Sequence, residues 1–86
     1  MPEISRFFGI IIKMYFDEHA PPHFHAEYGD EKVRVDVRAL SVMGGHLPPR
    51  ALGLVIEWAS QHQRELFDLW DLAAKLQPLH RVPPLV

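Results

Sequence analysis

Polar and apolar positions alternate without a fault from Lys32 to Arg38. Val33, Val35 and Val37 fall on one side of an extended chain, and Lys32, Arg34, Asp36 and Arg38 on the other. The same period of two runs through His23 to Tyr28, setting His23, His25 and Glu27 against Phe24, Ala26 and Tyr28. Gly29-Asp30 between them is a turn signal, so the two segments predict a β-hairpin. A two-residue turn pairs Tyr28 with Glu31 and sets His25 opposite Arg34. A four-residue loop pairs Tyr28 with Val33 and sets His25 opposite Asp36. Both registers share one parity. Each puts Phe24, Ala26 and Tyr28 in the core with the valines, and the two histidines, Glu27, Lys32, Arg34, Asp36 and Arg38 on a polar face.

The flanking segments complete an α+β pattern. Phe8 to Phe16 is β-branched and aromatic with Lys13 its one charge, which suits a strand buried on both faces. Pro21-Pro22 breaks the pairing, since neither proline has an N–H to donate. Ser41 to Leu47 reads as a further strand, bent by Gly44-Gly45. Pro48-Pro49 marks a helix entrance. Beyond it, Leu52, Val55, Ile56 and Ala59 form one apolar stripe, and Leu66, Leu69, Trp70 and Ala73 form a second. His62 and Gln63 interrupt the stripe where a single helix would need apolar residues. The expectation is an antiparallel meander of about four strands, followed by two helices packed on one face. Residues 1–86 form a single domain on this reading, ending in an extended, proline-rich tail over 78–86.

Composition narrows the functional classes without choosing one. A chain of 86 residues buries about 60–65% of its unfolded surface. That thin margin leaves room for a second copy or another protein as a partner. With no cysteine, disulfide scaffolds and thiolate-held zinc or iron–sulfur sites are excluded. Residues 1–50 carry six basic and seven acidic side chains, and residues 51–86 three and four, so no basic arm announces nucleic acid. The apolar run from Phe7 to Ile12 stops at Lys13, too short for a membrane span and without a cleavage site after it. The chain reads as a cytoplasmic protein with no membrane partner. Its one unusual entry is six histidines, three of them between His19 and His25.

Imidazole gives and takes protons near neutrality, and in its neutral form it ligates metals. His23, His25 and Glu27 on one strand face, with Arg34 across the hairpin, are equipment for acid–base cleavage of a phosphodiester. One group moves protons while guanidinium stabilises the charge growing on phosphate. Two imidazoles and a carboxylate can instead hold zinc or iron with positions left for water, and His19 lies near enough in sequence to make His19, His23 and His25 a ligand set. Phosphate binding without chemistry and a plain polar sheet face also satisfy the pattern. Trp58 and Trp70 read as core or partner-facing anchors. His62 reads as a hydrogen-bonded helix junction.

Three blocks of sequence resemble a family. Ile4-Ser5-Arg6-Phe7-Phe8-Gly9-Ile10, Met14-Tyr15-Phe16 and His19-Ala20-Pro21-Pro22-His23-Phe24-His25-Ala26-Glu27-Tyr28 are similar to the bacterial domain-of-unknown-function family numbered 4160. Leu47-Pro48-Pro49-Arg50-Ala51-Leu52 and Glu57-Trp58-Ala59 agree with its helix-start and tryptophan motifs. The resemblance implies a small bacterial protein encoded beside another small protein, in an arrangement like a toxin–antitoxin pair. The neighbour's product and RNA are then the expected partners. The protein is then either a ribonuclease-type toxin using His23, His25, Glu27 and Arg34, or the partner that binds such a toxin. A non-catalytic interaction module and a divalent-metal-binding protein are the alternatives.

Overall fold

In a computed structural model, which describes residues 2–86, the chain folds as five strands and two helices. The strands are β1 (Glu3–Phe7), β2 (Ile10–Lys13), β3 (His23–Tyr28), β4 (Glu31–Asp36) and β5 (Val42–Gly45). They pair antiparallel in sequence order, which makes a meander. The helices α1 (Pro49–Gln61) and α2 (Gln63–Ala74) follow. The α+β architecture expected from the sequence is therefore present.

The segment from Phe8 to Phe16 holds one strand, β2, but a shorter one than expected, because Phe8-Gly9 is the turn of a hairpin with the additional strand β1. Both turn residues have positive φ, +49° and +78°. Glycine adopts that conformation freely, whereas phenylalanine does so rarely. The turn leaves the Phe8 ring 62% exposed. A turn built around a large apolar residue is hidden in an apolar run, because hydrophobicity alone carries no sign of φ.

The β3–β4 hairpin takes the two-residue turn. Tyr28 pairs with Glu31, His25 with Arg34 and His23 with Asp36. Phe24, Ala26, Val33, Val35 and Val37 are all buried, as the alternation requires. Tyr28 departs from it and stays 41% exposed at the end of β3, with its ring against Gly9. The helices cover the apolar face through Ala51, Val55, Trp58 and Ala59 of α1 and Leu66, Leu69 and Ala73 of α2. Leu52 and Ile56 lie at the stripe's edge, half-buried. His62 ends α1 and starts α2, donating its backbone N–H to the Ala59 carbonyl, with Nδ1 3.3 Å from Glu65 Oε1. Two helices therefore meet where the stripe breaks.

The tail is extended and covers its own sheet. Val82 donates its N–H to the Ile4 carbonyl at 2.7 Å, and Val82 and Leu85 are buried. The Trp58 indole N–H, at the centre of the core, reaches the Pro83 carbonyl at 2.9 Å. Arg81 binds Glu3, which also binds Arg6. Removing residues 78–86 strands a buried indole donor, at a cost of about 1–3 kcal/mol, and uncovers apolar surface besides. The truncated protein is expected to melt lower and to scatter more light. An unchanged melting curve would contradict the covering role.

The Glu3 pairings also set a pH window. Hydrogen bonds from Arg6 and then Arg81 lower its pKa from 4.5 to about 2. A carboxylate depressed in the folded state contributes stability that is whole above its unfolded value and is lost as pH falls through the folded one. The difference in melting temperature between the native protein and Glu3→Gln should hold steady above about pH 4.5 and shrink towards pH 2. A difference that grows on acidification would reverse the assignment.

Candidate functional site

The polar end of β3 is closed by residues far apart in sequence. His23 and His25 alternate with Phe24 and Ala26, whose burial fixes the strand's parity. The β2–β3 loop folds back over them, tied to α2 by the bond from Asp17 N–H to the Ala73 carbonyl. This brings Glu18 to both imidazoles. Its Oε1 lies 2.9 Å from His25 Nε2 and 3.2 Å from His23 Nε2. Trp70 of α2 packs on the His23 ring, with centroids 5.1 Å apart, and Tyr15 meets the His25 ring edge-on at 4.5 Å. His23 is consequently buried, only 5% exposed, although it belongs to the strand's polar set. His25 and Glu18 remain partly open.

The hydrogen bonds fix the tautomers. His23 Nδ1 lies 2.8 Å from the Pro21 carbonyl. A carbonyl oxygen only accepts, so Nδ1 carries the hydrogen and a neutral His23 ring turns the lone pair of Nε2 towards Glu18. For His25 the carboxylate is the acceptor, so Nε2 carries the hydrogen and a neutral ring keeps its lone pair on Nδ1. One oxygen of Glu18 thus faces a donor from one ring and, while His23 is neutral, a lone pair from the other.

The remaining sequence candidates are distributed differently. Glu27 is not brought to the histidines; it pairs with Lys13 at 3.1 Å. His19 is exposed and lies outside the group formed by Glu18, His23 and His25. Arg34 does face His25, directly across the hairpin. Together with Lys32, Gly44 and Gly45 these two residues line a shallow depression of about 230 Å³ beside the site. Glu18 is the residue that the strand pattern misses. It stands in an irregular loop, seven positions before His25, where no period relates it to a strand face.

The family-model comparison places the chain. Residues 9–71, about three quarters of it, match the model described as "Domain of unknown function (DUF4160)". The chain belongs to this family. The DUF4160 match takes in Glu18, both site histidines, Arg34 and Trp70, and leaves out β1 and the tail. No curated protein and no solved structure matches the chain. Among the described residues, no helix is long and apolar enough to cross a membrane.

Two neighbouring glycines test the depression beside His25. A Cβ on Gly44 would meet the Arg34 guanidinium, the free end of a flexible side chain. A Cβ on Gly45, at φ +86°, would run into the Lys32 backbone carbonyl. Gly44→Ala should therefore displace Arg34 with a stability change of about 0.5 kcal/mol or less. Gly45→Ala should cost about 1–3 kcal/mol in denaturant unfolding. Equal losses in the two variants would contradict the placement of Arg34.

Proposed function

We propose that this protein is the effector of a toxin–antitoxin-like two-gene module and cleaves phosphodiester bonds in cytoplasmic RNA at the β3 site. Its antagonist is the small protein encoded by the neighbouring gene. The observation that carries this reading is the hydrogen bond from His25 Nε2 to Glu18, made beside Arg34 and Lys32. Held by Glu18, His25 keeps its Nδ1 lone pair available as a base, the same division of labour by which a carboxylate orients a catalytic imidazole elsewhere. His25 takes the proton of an attacking ribose hydroxyl. The hydroxyl oxygen bonds to phosphorus, and the leaving oxygen departs with the bond's electrons and takes a proton from water. The Arg34 guanidinium, with Lys32 beside it, neutralises the charge that grows on the phosphate oxygens. His23 and Glu18 act as positioning residues, and Glu27 supports the strand through Lys13.

Controlled expression in a bacterial host, with and without the neighbouring gene, tests the module. Growth arrest relieved by the neighbour is the expected result. His25→Ala should remain folded and lose RNA cleavage by on the order of 10²–10⁴-fold, while Glu27→Gln should keep most of it. A folded His25→Ala protein with full effect would sink the catalytic reading.

A further inference from the structure

Glu18, His23 and His25 offer one ligand atom each, and the three atoms lie within 4.8 Å of one another. Two features of this cluster point beyond proton transfer. The first is the conflict at Glu18: while His23 is neutral, Nε2 and Oε1 are two lone pairs facing each other at 3.2 Å. Such a pair needs a positive charge between its atoms, which either a proton or a bound cation supplies. The second is the support of His23. A histidine that ligates a metal almost always donates its other ring N–H, commonly to a backbone carbonyl, which fixes ring and tautomer. His23 makes that bond to Pro21, and Trp70 holds the ring from the side.

The two nitrogen–oxygen distances lie near those of a small transition ion, and the two imidazole nitrogens lie within 4.8 Å of each other. Bonds of about 2.0–2.2 Å from zinc to imidazole nitrogen and carboxylate oxygen place tetrahedral ligand atoms about 3.3–3.5 Å apart. The two nitrogen–oxygen separations, 2.9 and 3.2 Å, need to open by only a few tenths of an ångström. Two imidazoles with one carboxylate also match the ligand preference of zinc-class ions rather than magnesium or calcium, which favour oxygen.

We propose that Glu18 Oε1, His23 Nε2 and His25 Nε2 together bind one divalent transition-metal ion of the zinc class. The remaining coordination positions face the partly open side of the site and are filled by water. The ion takes the place of the hydrogen between His25 and Glu18. Metal-loaded protein therefore loses the His25–Glu18 arrangement that RNA cleavage requires, and zinc is an inhibitor. That consequence rests on the proposed function, whereas the binding does not.

The test uses the full chain, freed of metal by chelator and titrated with zinc in a calorimeter, and with cobalt(II) while following visible absorption and tryptophan fluorescence. One equivalent should bind, raise the melting temperature and give a cobalt spectrum, while magnesium leaves all of these unchanged. Glu18→Ala and His25→Ala, at the more open ligands, should weaken uptake at least about tenfold, the smallest loss seen even when a residue that only supports a ligand is removed. His19→Ala should bind as the native protein does. No uptake by the native chain, or equal uptake by folded Glu18→Ala and His25→Ala, would overturn the site. Uptake together with RNA cleavage that zinc does not slow supports the metal site and overturns the acid–base role of His25 instead.

Discussion

Trp58 joins the sheet, the first helix and the tail at one point. Its ring lies fully buried between Phe7 of β1 and Phe24 of β3, with centroids 5.5 and 5.7 Å away. Its indole N–H binds the Pro83 carbonyl of the tail. An aromatic side chain of this size contributes a large share of the apolar area a small core can bury, and its one polar atom must find an acceptor there. The tail's course over β1 supplies that acceptor and closes the core in the same step. Sheet, first helix and tail thus meet on a single side chain.

Phe24 transmits this constraint to the candidate site. Once its ring is fixed beneath Trp58, strand alternation gives His23 and His25 no choice but the opposite side of β3. Their burial then differs because α2 supplies Trp70 against His23, while His25 lies deeper along the strand, opposite Arg34. One imidazole is held rigidly in a dry setting and the other borders an open, cationic depression. The asymmetry divides the roles. His23 can fix geometry, and His25 can meet a substrate.

Glu18 gives the site its chemistry, and its position depends on the helix layer. The loop carrying it is fastened through Asp17 to the last turn of α2, so the docked helix helps hold the carboxylate at the imidazoles. A single carboxylate oxygen within hydrogen-bonding distance of two rings links their proton inventories. The proposed proton transfer and the proposed metal binding both depend on the Glu18–His25 contact, one keeping a hydrogen in it and the other replacing that hydrogen by an ion.

The amino-acid sequence by itself determined the face on which each β3 and β4 side chain lies, the hairpin between them, the break between the helices at His62 and the two imidazoles of the site. These follow from local periods, from turn residues and from the requirement that apolar side chains leave water, none of which needs a distant partner. The Phe8-Gly9 turn escaped that logic because its sign lies in φ rather than in hydrophobicity. The exposure of Tyr28 escaped it because alternation says nothing about where a sheet ends. Only the tertiary structure decided which carboxylate serves the histidines. Glu27 shares their strand face but is claimed by Lys13 on the neighbouring strand, and Glu18 arrives from a loop whose path is set by contacts with α2. Period places residues along one element, whereas the meeting of ligand atoms from loop and strand is fixed by how the elements pack.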